Sequence, residues 1–94
     1  MNIRWTRTAL RNLVAEAEYI ARDNPTAAGN MLTRIKNAVT LLAEQPAMGR
    51  AGRVPETREL IIPDTSCIIP YRIHEGQIEI LRVFHAARKW PTGP

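Results

Sequence analysis

The stretch from Arg58 to Pro91, RELIIPDTSCIIPYRIHEGQIEILRVFHAARKWP, constrains the fold more than any other part of the chain. β-Branched residues crowd it, and turn-forming pairs at Pro63-Asp64 and Glu75-Gly76 interrupt it. It reads as three successive strands, Arg58 to Ile62, Ser66 to His74 and Gln77 to Ala86, followed by a basic, aromatic tail. Folding the last two about Glu75-Gly76 sets Ile73 opposite Ile78, Tyr71 opposite Ile80 and Ile69 opposite Arg82. The alternate face pairs Arg72 with Glu79, Pro70 with Leu81 and Ile68 with Val83. The first is a core face that ends in an arginine, which a carboxylate or helix carbonyls would have to anchor. The second is ionic near the turn and apolar beyond it. Pro70 has no N–H to donate, so either its nitrogen side meets a bulge or the strand is an edge there.

Upstream, Asn2 to Trp5 is a short possible strand, and Thr6 or Thr8 can cap a helix behind it. Leu10, Leu13, Val14, Ala17, Ile20 and Ala21 recur at helical spacing as one apolar stripe, with Arg11, Glu16 and Arg22 off it on a solvated face. Asn24 then suits an N-cap and Pro25 the first helical position, where a missing N–H is harmless. Ala28, Met31, Leu32, Ile35, Ala38, Val39 and Leu42 form a second stripe that ends before Pro46. So short a joint makes Thr8 to Arg22 and Pro25 to Glu44 an antiparallel hairpin, in which Ala17, Ala21, Ala28 and Ala38 permit close approach. Gln45 to Thr57 is a loop by composition. Its Arg50 and Arg53 sit between glycines but match no phosphate-loop pattern, and it reads as a crossover. The expected fold is α+β in the order β-α-α-β-β-β. The hairpin packs on the face of a small, twisted antiparallel sheet that carries Ile69, Tyr71, Ile73, Ile78 and Ile80.

At 94 residues the chain makes one domain, residues 1–94, whose core must come from Leu, Ile, Val and Ala because it has only five aromatic side chains. Cys67 has no second cysteine to pair with and reads as a small, half-buried strand residue, and a cytoplasmic location is expected. No run approaches the roughly 18 apolar residues that span a membrane. No His, Cys and carboxylate cluster has metal-ligand spacing, so neither metal nor cofactor is expected. A net charge of +4 suggests a polyanionic or acidic partner.

The joint DNP, the loop PAMGRAGRVPETREL, Pro70-Tyr71-Arg72 and the ending VFHAARKWP together resemble the RelE/ParE family of bacterial toxins, and more closely its ParE branch. The likeness runs from Trp5 to Pro91. It implies the same helical hairpin on a sheet and a cognate antitoxin with a DNA-binding amino-terminal part and a carboxy-terminal part that wraps the toxin. ParE toxins poison DNA gyrase; RelE toxins cut mRNA on the ribosome.

Those two activities ask different things of the chain. RNA cleavage through the 2′-hydroxyl needs a base, cations for the phosphate and an acid for the leaving oxygen. His85 at the end of the last strand, with Arg82, Arg88, Lys89 and Arg58, supplies candidates. The RelE pattern also has a basic residue about where Cys67 or Ile68 stands, and a late tyrosine; here those places are apolar and the chain ends without a tyrosine. Only Arg88 and Lys89 carry over. The reading taken is a non-catalytic gyrase inhibitor that grips its target with Arg88, Lys89 and Trp90, the alternative being a metal-free endoribonuclease. Ile68, Leu81 and Val83 form the expected antitoxin patch on the second sheet face.

Overall fold

The computed structural model describes residues 1–86; the predicted target-binding residues Arg88, Lys89 and Trp90 lie outside them. The elements are β1 (Asn2–Trp5), α1 (Arg7–Asp23), α2 (Pro25–Glu44), β2 (Arg50–Ala51), β3 (Arg58–Ile61), β4 (Cys67–His74), β5 (Gln77–Ile80) and β6 (Phe84–His85). They form one sheet in the order β1-β5-β4-β3-β2, with β6 also paired to β4, and the architecture is α+β as expected.

Local chemistry sets the helix ends. The Thr6 hydroxyl accepts from the Ala9 N–H (3.1 Å) to cap α1, and the Asn24 side chain accepts from the Ala27 N–H (3.0 Å) to cap α2, with Pro25 just inside. At the β4–β5 turn Glu75 and Gly76 both have positive φ (50° and 76°), as a two-residue hairpin with the right-handed strand twist requires. The pairs Tyr71–Ile80, Arg72–Glu79 and Ile73–Ile78 follow as read from the sequence. Met31, Ile35, Val39 and Leu42 of α2 pack with Leu60, Ile69, Tyr71, Ile78 and Ile80 of the sheet in one core.

Six expectations are corrected. The sheet is mixed, since β1 pairs with β5 in parallel: the helical hairpin and the short return strand β2 bring the chain back so that β3 and β5 run with β1. The predicted loop contains β2, paired to β3 through Arg50–Glu59 and Ala51–Arg58. Ile73 keeps its face but is 45% exposed, because it stands beside the turn. Cys67 is fully buried, as an inward strand residue in the core cluster.

The fifth concerns α1, which turns so that Ala9, Leu13, Glu16 and Ile20 face inward at helical spacing. Glu16 is 8% exposed, whereas Leu10 and Val14 are 47% and 54% exposed. In α2 Leu32 is likewise exposed at the border of the stripe.

The predicted third strand also breaks. The Leu81 N–H donates to the Pro70 carbonyl (2.9 Å), but Pro70 returns no donor and the ladder stops. The Thr6 N–H and hydroxyl donate to the Ile80 carbonyl (3.1 and 2.8 Å), and the Asn12 side chain accepts from the Val83 N–H (3.2 Å). Pairing resumes with Phe84 opposite Ile68 and His85 opposite Cys67, one residue later than unbroken alternation gives. That extra residue turns Val83 into the core. Arg82 lies half-buried in the bulge.

Candidate functional site

The sheet face without helices carries three rows of side chains, set by register. Ile61, Ile68 and Phe84 make the first row, and Glu59, Pro70 and Leu81 the second. Arg72, Glu79 and Arg4 make the third. Each glutamate is buried between two half-exposed arginines. Arg72 and Arg4 each bond one oxygen of Glu79. The hydrogen bond from Arg72 holds the Glu79 carboxyl below its ordinary value, against the opposing effect of burial and helped by the charges of Arg72 and Arg4. Arg50 donates to Glu59 (3.0 Å), whose second oxygen accepts the Arg53 N–H (3.1 Å). Arg53 also lies over the Phe84 ring, 5.4 Å from its centroid.

Four guanidinium groups against two carboxylates leave this face with two positive charges. Each arginine has donors to spare after meeting its glutamate. An apolar row ending at exposed Ile61 runs alongside. Such a surface suits an acidic, partly apolar partner.

A latch on the loop before β2 positions Arg50 and Arg53. The Tyr71 hydroxyl accepts the Gly49 N–H (2.9 Å) and donates to the Pro46 carbonyl (2.7 Å). Burial pushes that hydroxyl above 10.0, against the Gly49 hydrogen bond and the Arg58 charge. The Arg58 guanidinium donates to the Ala47 and Gly49 carbonyls (3.1 and 2.8 Å). A Cβ at Gly49 would stand 2.6 Å from the Tyr71 ring, so only glycine fits.

Of the described ribonuclease candidates, Arg58 and His85 stand apart. Arg58 pairs with Tyr71, whereas His85 pairs with Cys67 on the other flank of β4, four residues or about 13 Å along the strand. His85 borders a cleft of about 350 Å³ toward α2, together with Asn30, the ion pair Arg34–Asp64 (3.1 Å) and Ser66. Arg82 is in the bulge; Arg88 and Lys89 are not among the described residues. The predicted antitoxin patch loses Val83, which the bulge turns into the core, while Ile68 is buried within its row and Leu81 is half-buried on the helix-free face. Among the described residues no group of three His, Cys, Asp or Glu side chains is placed to hold a metal ion, and no helix is long and apolar enough to cross a membrane.

Sequence reasoning found the Arg72–Glu79 pair because one two-residue turn sets it. It missed Arg4, which arrives from 75 residues away, and the clamp on Glu59, which depends on the unforeseen strand β2.

Comparison with known proteins agrees with this architecture. The family described as the ParE toxin of the type II toxin–antitoxin system, parDE, matches residues 3–90. Y4kP of Sinorhizobium fredii, named as a toxin, is 52% identical over 89 residues, which are 95% of this chain and 92% of that protein. The toxin RelE2 of Caulobacter vibrioides is 37% identical over 84 residues, 89% of this chain and 93% of that protein. Among solved structures, a chain of the chromosomal ParDE toxin–antitoxin system of P. aeruginosa superposes with a TM-score of 0.79 at 28% identity, covering 90% of this chain and 95% of that one. A chain of the toxin–antitoxin complex RelBE2 from Mycobacterium tuberculosis has a TM-score of 0.57 at 24% identity, with 89% and 95% covered, a likeness of fold alone.

Proposed function

The chain belongs to the ParE toxin family of type II toxin–antitoxin systems, and from that premise we propose that it inhibits DNA gyrase without catalysing a reaction itself and is neutralised by a cognate antitoxin in the cytoplasm. The observation that carries the non-catalytic reading is the commitment of Arg58. Its guanidinium holds two loop carbonyls and lies across β4 from His85, so a scissile phosphate and the neighbouring 2′-hydroxyl would not meet the two groups together. Target contact is assigned to Arg88, Lys89 and Trp90, a cationic pair beside an aromatic anchor. The antitoxin is assigned to the helix-free sheet face, where it would cover exposed Ile61 and half-buried Leu81 while its carboxylates meet the arginines of the two clamps.

Three measurements test this together. His85→Ala should remain toxic on expression, deletion from Arg88 onward should not, and the purified protein should stall gyrase on DNA without cutting ribosome-bound mRNA. Cleavage of mRNA by the pure protein, lost by about two to four orders of magnitude in His85→Ala, would make the protein an endoribonuclease and overturn the reading.

A further inference from the structure

The apolar residues of α1 exceed what the core uses. Glu16 faces inward, while Leu10 and Val14 face out on the same side as Arg7, Arg11, Ala15 and Glu18. Arg7 and Arg11 stand one turn apart with like charge, and Glu18 lies two turns beyond Arg11. Among the described residues no ion pair engages any of these three charges. The face therefore has a positive end at Arg7 and a negative end at Glu18, with Leu10, Val14 and Ala15 between them beside the further cation Arg11.

That pattern is complementary to its own inversion, and we infer that α1 is the contact surface for a second copy of this chain. A two-fold axis crossing α1 midway between Arg11 and Val14 runs the two helices antiparallel. Arg7 then stands opposite Glu18 of the second copy, Leu10 opposite Ala15, and the aliphatic part of Arg11 opposite Val14. The two ion pairs this creates lie about 16 Å apart along the helix and flank Leu10, Val14 and Ala15 of both copies, with each Arg11 left to extend its guanidinium to solvent past Val14. Ala15 allows the helix axes to approach to about 8–10 Å. Glu18 decides between occupants. An acidic helix would leave that carboxylate facing like charge, whereas an inverted α1 supplies it with an arginine. A single helix pair buries less than the roughly 1,600 Å² of a standard interface, so the dimer forms at high concentration and dissociates on dilution.

Sedimentation equilibrium on the full chain tests this. As concentration is raised to about 1 mM, the mass should climb from 10.6 kDa toward twice that value. Glu18→Arg should weaken association about tenfold and Val14→Arg should abolish it, while the double variant Arg7→Glu, Glu18→Arg should return to within about threefold of the parent. All these positions are exposed, and circular dichroism confirms that the variants fold. A parent that stays at 10.6 kDa throughout overturns the inference, as does failure of the charge swap to restore association. So would a monomeric parent whose binding to the cognate antitoxin is weakened by Val14→Arg, which would assign the face to the antitoxin.

Discussion

Replacing Gly49 with alanine should destabilise the protein by about 3 kcal/mol, because the new methyl group enters space that Tyr71 occupies. Its Cβ would sit 2.6 Å from Tyr71 Cε1, 2.7 Å from the hydroxyl and 3.0 Å from the Glu59 carbonyl. The hydroxyl cannot retreat freely, since it bridges the Gly49 N–H and the Pro46 carbonyl. Overpacking of this kind costs roughly 1–3 kcal/mol, and a lost buried hydrogen bond adds about 1 kcal/mol. The backbone contributes nothing, because Gly49 does not have the positive φ that would strain an alanine. For a domain of this size each kcal/mol lowers the melting temperature by roughly 4–8 °C, so about 12–24 °C should be lost. Gly29 is the control. It lies within α2 with open space around its Cβ position, and Gly29→Ala should stabilise by about 0.5–1 kcal/mol through helix propensity. Urea unfolding followed by circular dichroism measures both. A Gly49→Ala variant within 0.5 kcal/mol of the parent, taken as roughly the limit for a surface change, would refute the latch.

Three further outcomes follow from the sheet. Val83→Asp should unfold the protein, costing about 4 kcal/mol or more, because the bulge turns Val83 into the core; Leu81→Asp should stay folded, and equal stability of the two variants by chemical denaturation would contradict the broken register. Glu79 has its folded pKa depressed, so it contributes stability that is present above its ordinary value of 4.5 and lost as pH falls through the lower folded value. Glu79→Gln should flatten that acid limb in a pH series of urea midpoints, and an unchanged limb would count against the Arg72 clamp. Tyr71 has its pKa raised, so its contribution holds below pH 10.0 and is lost as pH climbs through the folded value; Tyr71→Phe should remove that alkaline loss, as read by ultraviolet absorbance and melting temperature.

How much of this was legible in the chain depended on how far apart the deciding residues are. Asn24-Pro25 ends one helix and starts the next through a cap bond spanning three residues, and the boundary was readable. Glu75-Gly76 sets a hairpin register through two dihedral angles, and Arg72–Glu79 came with it. Pro70 announced a bulge or an edge by lacking a donor, and the bulge is what formed.

The remainder required groups distant in sequence to compete. Thr6 and Asn12 draw the backbone of Ile80 and Val83 toward α1, and that pull places the bulge and reverses the direction of Val83. The candidate face depends on the same kind of convergence. Arg4 reaches Glu79 only because β1 joins the sheet in parallel beside β5, and Glu59 gains its arginines only because the Tyr71 and Arg58 latch folds the loop back as β2. The rotation of α1, with Glu16 inward and Leu10 and Val14 outward, was also beyond periodicity, since both settings satisfy a helical repeat. The sequence by itself determined the two helices, their caps and one hairpin, where a few adjacent dihedral angles and hydrogen bonds decide. Tertiary structure alone decided the register break, the helix rotation and the arginine clamps, where bonding partners up to 75 residues apart must first be brought together.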